Sequence, residues 1–143
     1  MAIFRPEDEE QVREILAGLE RPVELVVALG PEEGPVPGLP PDFDFGAETT
    51  RVVEELCALS GSLSTRVEQE PEGIGRFPAV LVRPEGREVG VRYDGLPWGY
   101  ELGSLVGAVV EAGKREPTLR PESLAALAGL DRDLAIDVFV TPT

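Results

Sequence analysis

The sequence predicts an α/β domain built on a mixed sheet with helices on both faces. Three observations carry this. The run Leu25-Val26-Val27-Ala28-Leu29 is apolar without alternation, as a strand covered on both sides requires. Stretches with apolar residues at helical spacing stand before and after it. Two later strand-like runs, joined through Pro84-Glu85-Gly86, read as an antiparallel hairpin, so the sheet cannot be wholly parallel.

The elements follow in order. Pro6 to Glu10 opens a first helix, because proline is tolerated in the first turn and acids there complement the helix dipole. Val12, Ile15, Leu16 and Leu19 form its apolar face, Gly18 weakens its end and Pro22 forbids continuation. Val23 to Leu29 is the first strand. Gly30 to Gly46 holds five prolines and four glycines, a density that leaves only a long surface loop, pinned by Phe43 and Phe45 in Asp42-Phe43-Asp44-Phe45. A second helix is expected from Ala47 to Ser60, with Val52, Val53, Leu56, Cys57 and Leu59 toward one side and Gly61 as its stop.

Leu63 to Glu68 alternates Leu63, Thr65 and Val67 inward, a half-buried strand. Ala79 to Val82 and Glu88 to Tyr93 form the hairpin. A long helix then runs from Trp98 to Ala112, with Leu102, Leu105, Val106, Val109 and Val110 as its core face. Gly99, Gly103 and Gly107 lie four apart on it, which predicts close packing against the sheet. Pro121-Glu122-Ser123 opens a shorter helix through Leu130, and Leu134 to Val140 reads as a terminal strand.

Composition narrows the chemistry. The 143 residues suit one domain with its own core, and 27 acidic against 13 basic residues give a net charge of −14. Such a surface repels phosphate backbones and acidic membranes, so neither nucleic acid nor membrane is an expected partner. There is no histidine, which removes imidazole general bases and histidine-ligated metals. The one cysteine, Cys57, cannot form a Cys-x-x-Cys couple or an internal disulfide. The N-terminus lacks the pattern of a signal peptide and no apolar run approaches a membrane span, so a cytoplasmic location is expected. Arginine outnumbers lysine twelve to one, prolines number 14 and asparagine is absent, a composition that fits a thermophilic source.

Three stretches carry a resemblance. They are Phe77-Pro78-Ala79, then Gly90-Val91-Arg92-Tyr93-Asp94-Gly95-Leu96-Pro97-Trp98-Gly99-Tyr100-Glu101, and last Ile136-Asp137-Val138-Phe139-Val140-Thr141-Pro142-Thr143. Together they resemble the thermophilic, glutaredoxin-like protein disulfide oxidoreductases, in which one chain carries two thioredoxin-like units. The N-terminal domain of the flavoprotein component of alkyl hydroperoxide reductase is a similar tandem. The resemblance implies a thioredoxin-like fold with an extra C-terminal helix and strand, and a cis-proline at Pro78. It further implies that residues 1–130 form a first unit. Residues 131–143 would then be a linker and the first strand of a second unit, whose Cys-x-x-Cys would follow Thr143. The family's redox-active units carry Cys-x-x-Cys where the strand Val23–Leu29 leads into the next helix; this chain has the Pro/Gly loop there. Where some members have a histidine, this chain has Tyr100.

The candidate sites are therefore few. Cys57 lies on an apolar helix face beside Glu54 and Glu55, which predicts a buried, inert thiol rather than a redox-active one. Pro78 and Phe77 are expected to fix a turn and to expose a strand edge to a peptide or partner. Trp98 is expected to cap the core at a helix start, with an interface anchor as the alternative. The acid clusters Asp8-Glu9-Glu10, Glu32-Glu33 and Asp42/Asp44 lack the donor spacing of calcium loops and read as solvated faces. No catalytic residue, metal or cofactor is expected in this chain.

The function expected is that of a redox-inactive thioredoxin-like unit supporting the dithiol site of a second unit. Its partners would be that unit, a substrate protein or a reductase. The alternative is a stand-alone, non-catalytic binding or scaffolding module. Strand Leu134 to Val140, apolar on both faces, is expected to pair with a sheet edge of this molecule or to build a homodimer.

Overall fold

The computed structural model describes residues 2–31 and 34–141; the Glu32-Glu33 pair and the terminal Pro142-Thr143 lie outside the described residues. Its elements are α1 (Pro6–Leu16), β1 (Val23–Leu29), α2 (Phe45–Cys57), β2 (Leu63–Gln69), β3 (Ala79–Pro84), β4 (Arg92–Asp94), α3 (Tyr100–Ala112) and α4 (Pro121–Ala128). The sheet is mixed, with strand order β2-β1-β3-β4. β1 runs parallel to β2, with Val23 opposite Leu63, and antiparallel to β3, with Val27 opposite Val80. The parallel pair requires a crossover, which α2 supplies; the antiparallel pair β3 and β4 needs only a loop.

The core forms where alternation and helical period converge. Val23, Leu25 and Val27 of β1 and Val80 and Val82 of β3 share a cluster with Leu16 of α1, Val53 and Leu56 of α2, and Leu105, Val106 and Val109 of α3. Each such side chain, once fully buried, contributes about 1.5–3 kcal/mol. On the opposite row of the sheet the centre is also closed to water: Val26 and Ala28 are 0% exposed. Charged side chains belong to that row. Arg66 pairs with Glu24 and Glu68, and Arg83 reaches Glu68 and Glu88.

Several expected boundaries move, each for a local reason. α2 starts at Phe45 rather than Ala47, because Asp44 caps it: its Oδ1 accepts the Ala47 N–H at 2.9 Å. α3 starts at Tyr100 rather than Trp98, because Gly99 takes φ +62°, outside the helix. The second hairpin strand shrinks to Arg92–Asp94, since Gly90 at φ +75° breaks the run from Glu88. In β2 the inward row fades along its length: Leu63 is buried but Val67 is 44% exposed, as suits an edge strand.

Two expectations fail. Gly103 and Gly107 do not pack against the sheet; nothing lies within 4 Å of where their Cβ atoms would be, because the helix turns Leu102, Leu105, Val106 and Val109 inward instead. The terminal strand is absent from the single chain: residues 134–141 have no strand pairing, and Ile136, Val138 and Phe139 are 84%, 79% and 83% exposed. A strand requires a neighbour, and this segment has none among the described residues. α4 forms, yet none of its residues is buried.

Candidate functional site

The cleft of interest opens where β1 ends and α2 begins. β1 is held to its last residue, since the Leu29 carbonyl accepts the Glu70 N–H at 2.7 Å. Gly30 follows, and its lack of a side chain admits the Phe77 ring: a Cβ there would meet Phe77 Cγ at 2.6 Å. Across the opening, the loop folds on itself through Leu39 N–H to Val36 C=O and Phe43 N–H to Pro40 C=O. Phe43 and Phe45 then meet edge to face, with ring centroids 4.8 Å apart and planes at 74°. The space enclosed is about 530 Å³, lined among others by Pro31, Val36, Pro41, Phe43, Phe45 and Phe77.

Among the described residues its ionisable lining is Asp42 and Asp44. Asp44 spends one oxygen on the helix cap, and the Thr50 hydroxyl donates to Gly46 C=O at 2.8 Å, fixing the same turn. Among the described residues Asp42 has no ion pair. By sequence alone Asp42 and Asp44 read as a solvated face and Phe43 and Phe45 only as loop pins. The spacing of Asp44 to Ala47, an acid three residues ahead of a helical donor, was the available signal for the cap.

Pro78 lines the cleft but is itself buried, and the Phe77–Pro78 peptide bond is cis. The Pro78 carbonyl accepts the Gly95 N–H at 2.7 Å, and Ala79 is paired on both sides, to Ala28 and to Asp94. These groups are therefore occupied within the sheet. Phe77 is the part of this turn that faces the opening.

Cys57 stands apart from the cleft, at the last turn of α2. Twelve residues of helix separate it from Phe45, roughly 18 Å at 1.5 Å per residue. It is partly buried against the core, and burial, with Glu54 adding repulsion, pushes its thiol up to about 12. That is the reverse of what an attacking thiolate needs. The neighbouring polar groups are structural: Arg51 pairs with Glu48 and Glu55 at 2.8 Å each, and the Ile3 N–H donates to Glu55 Oε2 at 2.8 Å. The Ile3 bond, then Arg51, hold the Glu55 carboxyl below the usual range.

Trp98 lies away from both, 45% exposed, in a second groove between α1 and α3 of about 630 Å³ that also includes Phe4, Ile15 and Leu102. Tyr100 points outward at 83% exposed. Of the acid clusters, Asp8 pairs with Arg5 and Glu9 with Arg13. Among the described residues no three acidic or cysteine side chains gather as a metal site, and no helix is long and apolar enough to cross a membrane. The structure thus brings Phe77 and Pro78 together with Asp42, Phe43, Asp44 and Phe45, and leaves Cys57 and Trp98 elsewhere.

No family model matches the chain. The F component of alkyl hydroperoxide reductase from Staphylococcus aureus is 25% identical over 134 residues, a match that covers 94% of this chain and 24% of the relative. The chain therefore spans about a quarter of the length of the curated relatives it matches. Among solved structures, the corresponding alkylhydroperoxide reductase component of Enterococcus faecalis superposes with a TM-score of 0.74 at 21% identity, over 90% of this chain and 61% of that one. A protein disulfide oxidoreductase from Aeropyrum pernix superposes with a TM-score of 0.68 at 22% identity, over 88% and 55%. The fold is thioredoxin-like.

Proposed function

We propose that this chain is a redox-inactive, thioredoxin-like unit of a thiol–disulfide oxidoreductase, which supports or orients a dithiol site carried by a second unit and docks a partner protein at the cleft. One observation carries the reading. Where β1 meets α2, the place a redox-active unit gives to Cys-x-x-Cys, this chain has Asp42-Phe43-Asp44-Phe45, and its one thiol sits at the far end of α2. Dithiol exchange needs an exposed low-pKa thiolate and a resolving cysteine, and neither is present.

In this reading residues 1–130 are the first unit, and residues 131–143 are a linker and the first strand of the second. The similarity to longer redox proteins supports that division, as does the apolar segment Leu134–Val140, which lacks a sheet of its own. The partners are the second unit, a substrate protein or a reductase; a homodimer through Leu134–Val140 is the remaining way to cover that segment. The reading carries a cytoplasmic location with it, where Cys57 stays reduced.

Two measurements test it. The chain should not accelerate insulin reduction by dithiothreitol above the uncatalysed rate; acceleration that survives Cys57→Ser would overturn the redox-inactive assignment. The coding sequence after codon 143 should give Cys-x-x-Cys. A stop codon there would instead favour a stand-alone binding module.

A further inference from the structure

We propose that the cleft between β1 and α2 takes an arginine side chain presented by an extended, apolar segment of a partner protein. This rests on the reading of the cleft as a docking surface and adds the chemistry of what docks. The lining is aromatic and prolyl, with Phe43, Phe45 and Phe77 around the opening, and among the described residues every charged one on it is an acid. Several acids elsewhere stand beside cations: Glu48 and Glu55 flank Arg51, Glu24 and Glu68 flank Arg66, and Asp94 faces Arg76 and Arg92. In the cleft Asp42 has no cation among the described residues, and Asp44 gives one oxygen to a backbone N–H.

Charge decides the class of occupant. The N-terminus of α2 faces this region with a partial charge of about +0.5, against two full carboxylates, so the local field favours a cation. The position an anion would need at the helix end is filled by Asp44 itself. Geometry then favours guanidinium over ammonium. A planar cation can lie against the Phe43 ring, which is 36% exposed, while its fork of N–H groups meets a carboxylate. The volume of about 530 Å³ exceeds one side chain, and Pro31, Val36, Pro41 and Phe43 offer exposed apolar contact for the residues on either side. The prolines of the loop limit the freedom lost when it is covered.

The test is a chemical-shift titration of the isotope-labelled chain with acetyl-Gly-Leu-Arg-Phe-Gly-amide, its citrulline counterpart and its glutamate counterpart. The arginine peptide should move the amides of Gly30, Gly46, Ala47 and Phe77. Replacing arginine by citrulline, which keeps the shape and removes the charge, should weaken binding about tenfold or more. The variant Asp42→Asn with Asp44→Asn should lose binding similarly while keeping its spectrum, because asparagine caps a helix as well as aspartate. Equal binding of all three peptides at these amides would overturn the arginine assignment and leave the docking reading standing. If no peptide moves the cleft amides at about 2 mM, a concentration that populates even millimolar affinities, both fail. Shifts confined to the groove around Trp98 would overturn both as well, by moving the docking surface.

Discussion

Phe77 occupies the space that a side chain on Gly30 would need: a Cβ at residue 30 would lie 2.6 Å from Phe77 Cγ and 2.8 Å from Phe77 Cβ. The contact joins the end of β1 to the turn that leads into β3, and it sets one wall of the cleft. Gly30→Ala should therefore force the ring outward and cost about 1–3 kcal/mol, the usual range for overpacking. Because the clash is with one side chain, the penalty should shrink when Phe77→Ala is also present. Urea unfolding of the two single variants and the double variant measures this. Simple additivity would show that the strain lies elsewhere.

The cap on α2 makes a separate prediction. Asp44 supplies both a hydrogen bond to the Ala47 N–H and a negative charge at the helix start. Asp44→Ala should lower stability by about 1 kcal/mol, whereas Asp44→Asn should stay within a few tenths. Thermal melts of both variants at low ionic strength check this, and equal losses would contradict it.

Cys57 should be slow to react and should weaken the fold at alkaline pH. With the thiol pushed up to about 12, the thiolate is scarce at pH 8, so reaction with a disulfide reagent should lag behind free cysteine until urea unfolds the chain. The folded state holds this proton more tightly than the unfolded chain, where the thiol ionises near 9. Above that pH the unfolded state binds fewer protons, so stability falls as pH rises from about 9 toward 12. Tyr93, raised chiefly by burial and then by Glu101, acts in the same direction. Cys57→Ala should flatten part of that decline in urea unfolding followed against pH.

The fold was legible because the buried strand, the helix periods and the hairpin all pointed to one mixed sheet. What escaped the sequence depended on distant partners. Gly30 was readable as a loop residue, but its obligation to Phe77 spans 47 positions and appears only once β3 lies beside β1. The glycines of α3 fit a close-packing pattern equally well on either side of the helix; the apolar set Leu102, Leu105, Val106 and Val109 decided which side faces in. At Leu134–Val140, apolar composition signalled a strand, but strands form by pairing and local sequence holds no record of a partner. The lack of a Cys-x-x-Cys pair could be read directly, since it needs only residue identity. The acidic, aromatic cleft between β1 and α2 could not, because the loop had to fold first.

The C-terminal part of the chain should contribute almost nothing to stability. α4 has no buried residue, and Ile136, Val138, Phe139 and Val140 are each at least 61% exposed. Removing residues 119–143 should therefore leave the urea midpoint and slope unchanged, since the slope follows the surface newly exposed on unfolding. Leu105→Ala, at a fully buried position, should by contrast cost about 2–5 kcal/mol. The shortened chain should also associate less, because the removed surface is an apolar, unpaired segment. A midpoint that drops on truncation would mean the segment is covered. If the drop grows with protein concentration, the cover is a second copy; if it does not, the segment packs on its own core.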